Sequence, residues 1–206
     1  MRQVISLGSF CLSNAMIERA GFEQPTYPFD DLFASVGVVT HALGDCLATF
    51  LNYDELIPAG NDHSWVQRHY RDEFGEQMTF AHHDMRLTEN RAKFERRRAR
   101  LLALTEHDNP LFVLIGYADR MGGAWQLGQL RRAVTERFGS SHLLICPFGD
   151  PEANAEVRQF SAPHTTMCFL GEPCQTNGMD FELDEHATFM VDAIRDAFEH
   201  SNRVEA

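Results

Sequence analysis

The sequence predicts an α/β protein: a single three-layer domain over residues 1–206, with a mostly parallel sheet of about five strands. Three observations carry this reading. Apolar strand candidates alternate with amphipathic helical segments along most of the chain, which is the pattern of a parallel sheet covered by helices. Two runs, Leu111-Phe112-Val113-Leu114-Ile115 and Leu143-Leu144-Ile145-Cys146, are continuously apolar, as strands buried on both faces must be. Finally, 206 residues with 44% hydrophobic and 23% charged side chains suffice for one ordinary core, and no repeat, low-complexity run or linker divides them.

The elements follow in order. Residues 4–7 form the first strand and run into Gly8-Ser9-Phe10-Cys11. Leu12, Ala15, Met16 and Ala20 then recur at helical spacing, and Gly21 supplies a stop. An irregular helical insertion is expected at about 24–76. In it Pro25 and Pro28 break the chain, 32–51 reads as helix with breaks near Gly37 and Gly44, and 52–75 reads as polar and irregular. Residues 78–81 read as a short second strand ending at His82-His83-Asp84. Thr88 is a candidate N-cap for a helix reaching about 105. On that helix Phe94, Leu101 and Leu102 share a face, and Arg96, Arg97, Arg98 and Arg100 read as a solvated one. After the strand at 111–115 come a helix over 125–138, a strand over 143–146, a short helix over 151–160, a strand over 166–170 and a final helix over 184–200.

Composition excludes several classes of function. Eighteen basic against thirty acidic side chains give a net charge of −12, which argues against broad binding to a phosphate backbone. No segment approaches the roughly 18 apolar residues of a membrane span, and the first residues lack the apolar run of a secretory leader. The five cysteines, Cys11, Cys46, Cys146, Cys168 and Cys174, are odd in number and contain no CxxC pair, so neither a disulfide framework nor a structural zinc site is expected. The expectation is a cytoplasmic protein with reduced thiols, no cofactor and no metal. Its partner is a small-molecule or peptide substrate, with no nucleic acid and no membrane.

Ligands of open α/β sheets bind beyond the carboxyl ends of the strands. Gly8 to Cys11, His82 to Asp84, Gly116 to Arg120 and Pro147 to Asp150 leave those ends. Cys11 lies where a strand gives way to a helix, so backbone N–H groups and the helix dipole favour a thiolate or hold an oxyanion there. The competing reading is a small buried apolar side chain. Cys46, Cys146 and Cys168 lie in apolar stretches and read as packing residues, while Cys174 lies in a loop. His83 offers a base, with Asp84 to fix its tautomer, against the alternative of a solvated loop histidine. Gly8, Ser9, Phe10 and Tyr117 are candidate substrate-binding residues. Asp184 and His186 read first as caps of the last helix, and the alternative is a serine triad with Ser9 as nucleophile. A third reading is a non-catalytic module binding an anionic or sugar group. The chain has no GxGxxG and no GxxxxGK[ST] to support nucleotide binding.

Several segments together resemble a known family. They are Ile5-Ser6-Leu7-Gly8-Ser9-Phe10-Cys11, Tyr27-Pro28-Phe29-Asp30, His83-Asp84, the stretch from Phe94 to Leu102 with its paired arginines, and Leu111-Phe112-Val113. In this order they resemble the bacterial family described as "putative papain-like cysteine peptidase", over about the first 115 residues. The resemblance implies a thiol hydrolase, with the family's cysteine on Cys11, its histidine on His83 and its acidic positions on Asp30 and Asp84. Asp31 departs from the pattern, since an aromatic residue commonly follows the PFD aspartate. A cysteine directly after the first strand of such a sheet is not papain's arrangement, so "papain-like" would describe the residue set rather than the fold. The serine alternative resembles the SGNH esterases, but Leu7-Gly8-Ser9 replaces their Gly-Asp-Ser.

Overall fold

The computed structural model describes residues 2–23, 25–149, 157, 159–170 and 174–203. Four strands make one parallel sheet: β1 (Val4–Ser6), β4 (Leu111–Tyr117), β5 (His142–Phe148) and β6 (Thr165–Met167), side by side in that order. Val4 faces Leu111, Leu111 faces His142, and Leu143 faces Thr165. All seven residues of β5 are buried, which accounts for its unbroken apolar run.

Helices cover both faces. Side chains alternate across a strand, so Val4, Val113, Ile115, Leu144 and Cys146 face one way and Ile5, Phe112, Leu114, Leu143 and Ile145 the other. On the first face lie α1 (Leu12–Arg19), through Leu12, Met16 and Ile17, and the last helix α6 (Asp184–Arg203), through Met190 and Ile194. On the second lie α2 (Val36–Gly44), α4 (Thr88–Leu102) and α5 (Ala124–Phe138). The α/β class and its three layers are those the sequence predicts.

Several local expectations change. The insertion holds α2, an antiparallel hairpin of β2 (Leu56–Ala59) and β3 (Asn61–Gln67), and α3 (Arg68–Phe74), in place of a long broken helix and an irregular stretch. Its apolar side chains Val38, Val39, Leu43, Phe50 and Tyr70 join the core beneath the sheet's second face. Tertiary packing pairs segments here that carry little strand periodicity of their own. Residues 78–81 are not a strand of the parallel sheet. Phe80 makes an isolated antiparallel bridge with Trp65, and Phe33 N–H donates to Thr79 O at 3.2 Å. Helix α4 takes Leu87, not Thr88, at its N-cap position, with no side-chain cap. The helix expected over 151–160 lies largely outside the described residues.

Candidate active site

All three crossovers between neighbouring strands step the same way along the sheet, but the loops at their carboxyl ends diverge. After β1 the chain turns onto the first face as α1, whereas after β4 it turns onto the second face as α5. The two helices therefore leave the carboxyl ends of neighbouring strands on opposite faces of the sheet. Gly8, Ser9, Phe10 and Cys11 belong to the first connection, and Gly116 and Tyr117 end β4.

The β1–α1 loop is tightly held. Gly8 and Ser9 both have positive φ, +80° and +79°, a strained conformation for the serine. Gly8 N–H donates to Ser6 Oγ at 3.1 Å. Ser13 Oγ donates to Gly8 O at 2.7 Å and accepts from Ile115 N–H at 3.0 Å, which fastens the loop to β4. Ser9 lies so close to β4 that a Cβ on Gly116 would sit 2.5 Å from its Oγ. Phe10 packs its ring 5.7 Å from Tyr117 and 6.2 Å from Phe148. The loop therefore brings together Gly8, Ser9, Phe10 and Tyr117, all candidates from the sequence.

Cys11 occupies the N-cap position of α1 and is nine-tenths buried. The first amides of any helix lack intrahelical acceptors, and the Cys11 side chain does not cap them. The expected thiolate is nonetheless disfavoured. Burial and then the nearby Asp31 carboxylate push the thiol up from its ordinary range, and only its own backbone N–H pulls it down.

His83 does not hang from a strand of the main sheet as expected. It follows the segment bridged to Trp65, and its ring stands edge-on to Phe94 with centroids 5.0 Å apart. Nε2 is buried without a hydrogen-bond partner. Burial first, then the positive charges of Lys93 and Arg97, lower its pKa to about 4, against a smaller upward pull from Asp31. The ring is neutral at physiological pH.

The carboxylates divide their duties. Asp30 Oδ2 accepts from Tyr27 N–H at 2.5 Å and closes a turn, and burial raises this carboxyl to about 7. Asp84 is held by its neighbour, accepting from Arg86 Nη2 at 2.7 Å and Nε at 2.9 Å. Asp31, marked in the sequence only as a departure from the family pattern, is the charge felt by both Cys11 and His83. It pairs with Arg97 Nη2 at 2.7 Å, and Lys93 Nζ stands 3.9 Å away. Arg97 is almost wholly buried, so the arginine run is not simply a solvated face. A signal was present, since Phe94, Arg97 and Leu101 fall at i, i+3 and i+7 on one stripe of the helix.

The other candidates lie elsewhere. Asp184 is exposed and pairs with Arg19 at 2.7 Å, while His186 is buried with its ring 6.1 Å from Phe181. Ser9 Oγ is turned toward Gly116. Two cysteines exchange character: Cys46 is exposed and Cys174 is buried. Among the described residues no cluster of three or more His, Cys, Asp or Glu side chains is disposed to hold a metal ion, and no helix is long and apolar enough to cross a membrane.

The fold and the site define an α/β protein with a cysteine at the carboxyl edge of its sheet. A family model described as "Putative papain-like cysteine peptidase" matches residues 2–120, which contain Cys11, Asp30, Asp31, His83 and Asp84, and the chain belongs to that family. No curated protein and no solved structure matches the chain.

Proposed function

We propose that the protein is a cysteine-dependent hydrolase or acyltransferase, with Cys11 as nucleophile and His83 as general base. The observation that carries the reading is Cys11 at the N-cap of α1, just beyond the carboxyl end of β1, where the charge of Asp31 acts on it as it acts on His83. Membership of a family whose description is a cysteine peptidase supports it.

The raised thiol and the lowered imidazole dictate the order of proton transfer. The resting pair is a neutral thiol and a neutral ring, not a preformed ion pair. Sγ attacks the substrate carbonyl carbon as its proton passes to Nε2. The carbonyl oxygen becomes an oxyanion facing the free amides at the start of α1. Collapse expels the leaving group, which takes the proton from His83, and leaves a thioester on Cys11. Water activated by His83, or an acceptor nucleophile, then releases the acyl group and restores the thiol. Arg97 and Lys93 keep the ring neutral, and Asp31 limits how far they do so. Asp30 closes the turn at Tyr27, and Asp84 braces the chain that follows His83.

The test is hydrolysis of p-nitrophenyl acetate and of peptide and thioester libraries by purified variants. Cys11→Ala should abolish turnover with the fold retained by circular dichroism, and His83→Ala should cost roughly 10²–10⁴-fold. Ser9→Ala should stay near wild type. Full activity in Cys11→Ala would overturn the proposal. The rate should be flat from about pH 5 to 8, because its acid limb belongs to an imidazole near 4 and its alkaline limb to a raised thiol.

A further inference from the structure

A second site lies at the opposite edge of the sheet. Beside the amino ends of the strands is a cleft of about 380 Å³. Arg2 precedes β1, Asn109 precedes β4, His142 opens β5, His164 precedes β6, Thr166 lies within β6, and His200 reaches in from α6. No carboxylate lines it among the described residues, although the chain carries thirty acidic side chains and a net charge of −12. Every side chain just named can donate a hydrogen bond, one is a permanent cation and three are imidazoles.

A buried cation deepens this positive field. Arg131 is among the buried residues, and its guanidinium donates to Ser141 O at 2.6 Å and His164 O at 3.2 Å, with Nε on Thr135 Oγ1 at 3.0 Å. These partners are neutral, so its charge is solvated by dipoles without being cancelled. It borders an adjoining cleft that shares His164 with the first. On the other flank a third cleft shares Thr166 and His200, and there Asp196 is the nearest lining carboxylate.

We propose that this amino-edge cleft binds a phosphoryl group, as free phosphate or as the head of a small phosphomonoester. A tetrahedral dianion presents several acceptor oxygens at once, and the convergent guanidinium, imidazole, amide and hydroxyl donors match that demand better than they match one planar carboxylate. The flanking clefts give the ester group of a monoester room on either side. The site goes beyond the hydrolase reading, because it shares no residue with the Cys11 and His83 site.

His142 fits the assignment. Its Nε2 lies 2.8 Å from Thr166 Oγ1. Burial and the charges of Arg2, Arg131, His164 and His200 lower its pKa to about 4. A bound anion would oppose that shift, so binding should be coupled to proton uptake.

The test is isothermal titration calorimetry of the full chain at pH 7 with inorganic phosphate and with phenyl phosphate. Saturable binding at one site is expected. It should weaken at least about tenfold, the loss of one charge-assisted contact, in both Arg2→Gln and the double variant His164→Asn with His200→Gln. Asn is chosen at 164 because that residue has φ +52°. All three replaced side chains are polar and removable without opening the core, and Cys11→Ala should bind as wild type does. Tighter binding of phenyl phosphate identifies a monoester source, and equal binding identifies free phosphate. Absence of saturable heat, unchanged affinity in both variants, or equal binding of acetate would overturn the proposal.

Discussion

At Ser9 the geometry is most demanding. A residue with a Cβ holds a left-handed conformation there, against a glycine that leaves no room for more. Gly116→Ala should destabilise the protein by about 1–3 kcal/mol, because the new methyl must displace Ser9 Oγ at 2.5 Å and Cβ at 3.0 Å. Ser9→Gly removes both atoms and relieves the backbone, so it should change stability by less than about 1 kcal/mol. In that background Gly116→Ala should cost at least about 1 kcal/mol less, a coupling readable from urea midpoints of the four proteins. A simple sum of the two effects would mean that the loop moves freely enough to absorb the clash. None of this was visible in the sequence, where Gly8 and Ser9 read as candidate substrate-binding residues without any sign of strain. The chain motif located the loop, but the close approach to Gly116 depends on a strand more than a hundred residues away.

Helix α4 shows how an element can carry electrostatics that its composition hides. Its exposed residues satisfy the reading of a charged surface helix, yet Arg97 points inward with Phe94 and Leu101 and meets Asp31. Replacing Asp31 with Asn should destabilise the protein by about 2–3 kcal/mol, below the cost of breaking a fully buried pair because Asp31 keeps partial access to water. Arg97→Met should cost less, since it removes the buried charge along with its partner's role. The Asn variant should also lower the pH midpoint for alkylation of Cys11 by iodoacetamide, because a carboxylate that raises the thiol is gone. An unchanged midpoint would show that burial alone sets it. The alternating strand and helix pattern was legible because buried parallel strands need unbroken apolar runs. The hairpin of β2 and β3 was not, because Pro58, Gly60 and the polar residues around them give no period-two signal. Cys11, His83, Gly8, Ser9, Phe10 and Tyr117 were named from the sequence, whereas Asp31, Lys93 and Arg97 required the fold.

Across the whole molecule three buried groups set a pH dependence of stability. His83 and His142 titrate near 4 in the folded protein and near 6.5 in the unfolded chain, so each gives one proton to the unfolded state between those values. Asp30 works the other way, holding a proton up to about 7 when folded but losing it near 3.8 when unfolded. Between about pH 4 and 6.5 the unfolded chain therefore binds two minus one, or one proton more. Through these groups stability should rise with pH there by about 1.4 kcal/mol per unit. His142→Gln should flatten the slope and Asp30→Asn should double it, as read from urea unfolding at several pH values. A wild-type stability that falls with pH in this window would contradict the sign.

The pairing of β1 with β4 also has a consequence for the nascent chain. Val4, Ile5 and Ser6 find their partners only at Leu111, Phe112 and Val113, so on the ribosome this strand waits, unpaired, until those distant residues are made. During that interval the thiol of Cys11 has neither Asp31 and its neighbours arranged around it nor Ser13 bridging to Ile115. It is an ordinary accessible cysteine, open to oxidants and electrophiles until residue 117 has emerged and the sheet closes. Long-range strand pairing of this kind is slow to form, so chemical damage at this position should accumulate during synthesis and refolding rather than in the finished molecule.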